Sequence, residues 1–130
     1  MNIVITLGDD DIRQGSYATA YVTHVAGANT LSKSVSLNNG ANWPNYSVHL
    51  ETLLIDIDNP PKLSDLRSFS IKYKGGGGIS GDNWKMNGLL VTYGLDSGEE
   101  AVLIKEFGDP YFIFTGDAPS WEFDFTNMNM

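Results

Sequence analysis

The feature that most constrains this chain is a two-residue rhythm of apolar side chains in short segments. Phe69, Ile71 and Tyr73 alternate with Ser68, Ser70 and Lys72, and Trp121, Phe123 and Phe125 alternate with Glu122 and Asp124. Successive side chains of an extended strand point to opposite faces, so this spacing lays one apolar face on a core and leaves a polar one in water. Less clean runs lie at Ile3 to Leu7, Tyr17 to Val25, Leu31 to Leu37, Tyr46 to Ile57, Trp84 to Leu95, Glu100 to Phe107 and Tyr111 to Thr115. Turn formers separate them at Gly8-Asp9-Asp10-Asp11, Asn38-Asn39-Gly40, Asp58-Asn59-Pro60-Pro61, Gly75 to Gly78, Asp96-Ser97-Gly98 and Gly108-Asp109-Pro110. No helical period of any length intervenes, and only Lys62 to Arg67 has room for one helical turn. The pattern predicts an all-β antiparallel sandwich of about eight strands.

A chain of 130 residues without an internal repeat or a linker reads as one domain, residues 1–130. Apolar residues at 42% against 18% charged give it enough to bury, so it folds unaided. The absence of cysteine excludes disulfides, thiolate nucleophiles and cysteine-ligated metals. Sixteen acidic against eight basic residues give a net charge of −8, and the basic residues are scattered. Nucleic acid is therefore not an expected partner, since phosphate binding needs a basic stripe. Met1 to Leu7 has neither a basic leader nor a cleavage site, and no apolar run approaches the roughly 20 residues that span a bilayer. A cytosolic start, or export by a signal-less route, is the expectation.

Features that invite an enzymatic reading fail at the level of motif. Gly75 to Gly81 is glycine-rich but lacks the Gly-Lys-Ser/Thr ending that grips phosphate. His24 and His49, the two histidines, adjoin no nucleophile motif. Glu99, Glu100, Glu106, Asp109, Asp117, Glu122 and Asp124 are too numerous to single out a catalytic pair and read as a solvated surface. The expectation is a non-catalytic protein.

Several landmarks stand in a recognisable order. The opening strand and Leu7-Gly8-Asp9-Asp10-Asp11-Ile12-Arg13-Gln14-Gly15-Ser16-Tyr17 lead into a second strand. Leu63-Ser64-Asp65-Leu66 precedes the strand at Phe69, and Gly81-Asp82-Asn83-Trp84 opens the next. Over residues 2 to 93 this order resembles the PLAT/LH2 family, the sandwich domains of polycystin, lipoxygenase and α-toxin, with Leu7 where the family usually has threonine. The resemblance implies a PLAT/C2-like domain without an active site, used to bring a protein to a membrane surface, a lipid or a protein partner, in some members with calcium.

Calcium takes several hard oxygen ligands, and Asp9, Asp10 and Asp11 with Asp82 and Asn83 are the candidate metal residues; the same residue types are also ordinary turn formers. A net negative chain approaches anionic lipid only if calcium bridges the two. Trp43 and Tyr46 are the candidate ligand-binding aromatics, able to form an apolar tip, although a tryptophan is more often buried. Trp84 and Trp121 occupy strand positions and are assigned to the core. The same Trp43, Tyr46, Asp82 and Asn83 would serve a carbohydrate-binding module, and a small subunit of a larger, toxin-type complex is the third reading.

Overall fold

The computed structural model describes all residues except Ile57, 76–82, Asp96 and 128–130. Its strands are β1 (Asn2–Leu7), β2 (Tyr17–Ala26), β3 (Asn29–Ser36), β4 (Val48–Thr52), β5 (Leu66–Lys74), β6 (Trp84–Gly94), β7 (Glu100–Phe114) and β8 (Ser120–Asp124). They form two four-stranded antiparallel sheets, β4-β1-β6-β7 and β3-β2-β5-β8. This is the sandwich that the alternation predicts. The predicted helical turn is present as a 3₁₀ turn at Leu63–Asp65.

The inward faces fuse into one core. Ile3, Ile5 and Leu7 of β1 and Ala18, Ala20 and Val22 of β2 keep strict alternation and are buried, as are Phe69 and Ile71 of β5. Trp84 is fully buried and stacks on Phe114 at 4.5 Å between ring centroids, with Tyr73 edge-on to both. Trp121 packs against the core from β8, its ring edge-on to Tyr111. Both tryptophans assigned to the core belong to it.

Two expected boundaries differ. The run Tyr46 to Ile57 holds a strand only at Val48–Thr52. Before it, Tyr46 takes a left-handed backbone (φ 59°), which breaks extended pairing; after it, the Asp56 carboxylate accepts hydrogen bonds from the amides of Asp58 and Asn59 and turns the chain away. Conversely, Gly108-Asp109-Pro110 does not separate two strands. It is a wide bulge inside β7: Phe107 pairs with Gly88 and Phe112 with Met86, so four residues of β7 oppose Asn87 alone. Gly108 is needed there, because a Cβ would stand 2.7 Å from the Cα of Tyr111.

The registers sort the loops into two ends. The loops 8–16, 37–47 and 115–119 gather at one end with Asn83, and the β2–β3 turn, the segment 53–65 and the β6–β7 turn gather at the other.

Candidate functional site

The Asp9–Asp11 loop meets the start of β6 and the Trp43–Tyr46 loop. The amide of Gly8 donates to the carbonyl of Lys85, that of Lys85 to Asp10, and that of Tyr46 to Gly8; Ile12 and Trp43 form a two-way β-bridge. Asp9, Asp10 and Asp11 are thus tied to the start of β6, beside Asn83, and to the Trp43–Tyr46 loop. Asp82 lies outside the described residues.

What the loops build is an ion pair rather than a carboxylate cage. Asp9 accepts from the Lys85 ammonium at 2.8 Å, and Asp11 faces Arg13 at 4.0 Å. The hydrogen bond and the charge of Lys85 hold the Asp9 carboxyl below its ordinary 3.8, and Asp9 in turn raises Lys85 above 10.5. Among the described residues, no three His, Asp or Glu side chains stand together as a metal would require. As arranged, this end sets Lys85 against Asp9 and Arg13 near Asp11.

The two candidate aromatics part company. Tyr46 is exposed at 66%, whereas Trp43 is buried at 5%, so no paired aromatic tip forms. Trp43 is drawn in by its bridge to Ile12 and by the His49 imidazole, which stacks on it at 3.8 Å with the rings 4° from parallel. Burial holds the His49 imidazole below its ordinary 6.5. His49 Nε2 lies 2.8 Å from Ser47 Oγ, a contact with the look of a base and a nucleophile. The serine hydroxyl, however, donates to the Pro44 carbonyl at 2.6 Å, so its hydrogen is directed away from the imidazole. The histidine therefore donates to the serine oxygen, the reverse of what a general base requires.

At the opposite end, His24 is 3% exposed, and neither ring nitrogen has a hydrogen-bond partner among the described residues. It borders a cavity of about 270 Å³ shared with Asp56, Pro60, Lys62 and Asp65. Both carboxylates there serve the backbone, Asp56 as above and Asp65 by accepting from the Lys62 amide, so the cavity is a by-product of loop caps.

The region that departs most from an ordinary sandwich is the outer face of β4-β1-β6-β7. Registration gives its cross-strand rows: Val48–Thr6–Gly88–Phe107, then Leu50–Val4–Leu90–Lys105, then Thr52–Asn2–Thr92–Val102. Val48 and Leu50 are each 63% exposed, Phe107 64% and Val102 57%. Phe107 lies over Gly88, where a Cβ would come within 2.9 Å of its ring. The third row is polar and internally bonded: Thr52 donates to Asn2, and Asn2 and Thr92 both donate to Glu100. This sheet face thus displays several exposed apolar side chains among the described residues.

The sequence carried a signal for this face. Gly88-Leu89-Leu90-Val91 and Ala101-Val102-Leu103-Ile104 depart from clean alternation and place apolar residues on both sides of β6 and β7, whereas Val48-His49-Leu50 alternates and gives no such signal. Compared with known proteins, the chain matches no family model and no curated protein. Among the described residues, no helix is long and apolar enough to cross a membrane.

Proposed function

We propose that this protein is a non-catalytic binding module that docks a protein partner through the outer face of β4-β1-β6-β7. The observation that carries the reading is the exposure of Val48, Leu50, Val102 and Phe107 on one sheet face, joined through Val4 and Leu90. Covering a Leu or Phe side chain is worth about 1.5–3 kcal/mol relative to leaving it in water, so a few such anchors supply a working hot spot. The PLAT/LH2-like order of landmarks supports the same kind of role, a module that positions a protein without chemistry of its own. The reversed Ser47–His49 hydrogen bond and the buried His24 support the absence of a catalytic step.

The reading is tested by placing a photo-crosslinking phenylalanine analogue at position 107 and, as a control, at Tyr21 on the other sheet. A discrete protein adduct from position 107, lost on Leu50→Lys and absent from position 21, is the expected result. Equal labelling from both positions, or none from either, refutes it.

A further inference from the structure

We infer that Asn39 is a site of self-modification: in the folded protein it loses its side-chain amide through attack by the Gly40 backbone nitrogen and becomes aspartate or isoaspartate. The site lies in the loop 37–47 and stands apart from the docking reading.

The chain has two Asn-Gly pairs, Asn39-Gly40 and Asn87-Gly88. A glycine after asparagine leaves the attacking amide without a side chain to shield it and with the backbone freedom to swing onto the carboxamide carbon. The fold sets the two pairs apart. Asn87-Gly88 lies within β6, paired with β1 on one side and β7 on the other, and Gly88 is buried beneath the Phe107 ring. Asn39 is exposed, and Asn39-Gly40 are the central residues of a turn closed by the Ala41 amide on the Asn38 carbonyl at 2.8 Å. Their φ angles, 49° and 74°, are both left-handed, the type I′ combination that asparagine and glycine fill most readily. Among the described residues, neither the Asn39 carboxamide nor the Gly40 amide makes a hydrogen bond. Asn38 is the contrast: it is buried, and its carboxamide accepts from the Ala18 amide at 3.0 Å and donates to the Ser16 and Ala41 carbonyls at 2.7 and 3.0 Å. A group held at three points does not turn toward its own backbone, so Asn39 is the reactive member of the loop.

The reaction needs only water. The Gly40 nitrogen gives up its proton to solvent base and bonds to Asn39 Cγ; the Cγ–Nδ2 bond breaks, and Nδ2 leaves as ammonia with a proton taken from water, closing a cyclic imide. Water then opens the imide. Cleavage of the bond from nitrogen to Cγ restores the ordinary chain as aspartate, and cleavage of the bond from nitrogen to the Asn39 carbonyl carbon routes the chain through the side chain as isoaspartate. Either product adds a negative charge to a chain that already carries −8. Aspartate keeps the turn, because its short polar side chain tolerates left-handed backbone. Isoaspartate does not: the extra main-chain carbon displaces Gly40, whose carbonyl accepts from the Gly15 amide at 2.9 Å, and parts the Ala41 amide from the Asn38 carbonyl. The Gly15–Gly40 bond ties the loop 37–47 to the loop 8–16, so the modification loosens the entry to β2.

Peptide mapping by mass spectrometry, on folded protein held at neutral and at mildly alkaline pH, reads the conversion directly. Asn39 should convert about tenfold or more faster than Asn87, since Asn87 must wait for β6 to open whereas Asn39 needs only its turn to rearrange. The rate should rise with pH, because the attacking nitrogen must lose its proton. In urea the two pairs should react at similar rates, which assigns the difference to the fold. Asn39→Gly, which suits the same left-handed backbone, should abolish the mass gain in that peptide. Once separated by chromatography, the isoaspartyl form should lose hydrogen-exchange protection at the Gly15 and Ala41 amides, whereas Asn39→Asp should retain it. Equal rates at positions 39 and 87 in the folded protein, or conversion at position 39 only after urea is added, overturns the self-modification; an isoaspartyl form with undiminished protection at both amides overturns the loosening.

Discussion

The outer faces of the two sheets make opposite use of the same strand geometry. On β3-β2-β5-β8 the outward rows read Ser36–Thr19–Lys72–Ser120, Ser34–Tyr21–Ser70–Glu122 and Ser32–Thr23–Ser68–Asp124, a lattice of hydroxyls and charges. On β4-β1-β6-β7 half of the positions in the three corresponding rows are Val, Leu or Phe. Both faces belong to strands of good β propensity, so strand formation alone does not account for the contrast. On the docking reading proposed above, the apolar residues displayed where Ser and Thr would hold the same strands in place form the contact face.

The sharpest way to break that comparison is along a single strand. Phe114 and Phe107 both lie on β7, the first in the core and the second on the open face. Phe114→Ala should cost about 3–5 kcal/mol by urea unfolding, whereas Phe107→Ala should cost under about 1 kcal/mol to the isolated domain. A large loss at position 107 in a monomeric sample would show its ring to be structural. Next in size is His24, which sits on the inner side of the hydroxyl-bearing sheet with two unpartnered nitrogens. His24→Leu should raise stability by about 1–2 kcal/mol, since it removes a desolvated polar group at similar volume; a loss would reveal a partner for the ring. On the hydroxyl lattice itself, Thr23 Oγ1 and Ser68 Oγ lie 2.5 Å apart. Thr23→Val should cost about 0.5–1.5 kcal/mol in the same assay.

The smallest effect is acid dependence, read from the histidine of the other sheet. His49 is held below 6.5 by burial, so between that lowered value and 6.5 the unfolded chain binds more protons than the folded one. Stability should therefore decline as pH falls through this window, and His49→Gln should flatten the decline in a melting-temperature series. Asp9 acts further down: the stabilisation it gains from Lys85 is present above 3.8 and is lost as pH falls through its lowered value.

The sandwich was legible because burial enforces a period of two, and Phe69-Ser70-Ile71 displays that period without interruption. The Gly108-Asp109-Pro110 bulge was not, since the same three residues serve a hairpin turn or a bulge, and only the continued pairing of Phe112 with Met86 decides between them. The convergence of the Asp9 to Asp11 loop with Trp43 and Tyr46 was not legible, because it rests on the Ile12–Trp43 bridge, and composition could not reveal that Lys85, three residues beyond Asp82, would take Asp9 as its partner. The exposed face was hardest to read. Val48 and Leu50 look like core residues in a string of letters, and only registration with Val4 and Thr6 shows that they point outward.

The seating of Phe107 over Gly88 has a consequence for how that face binds. A side chain that lies free in solvent surrenders its rotational entropy when it is captured, and that loss is subtracted from the contact it makes. Here the glycine leaves a shallow berth that the ring already occupies, beside the Thr6 Cβ, which a Cβ at position 88 would approach to 3.3 Å. On the docking reading, a ring already seated against β6 has less rotational freedom to lose than one standing free, so more of the free energy released by covering it is kept.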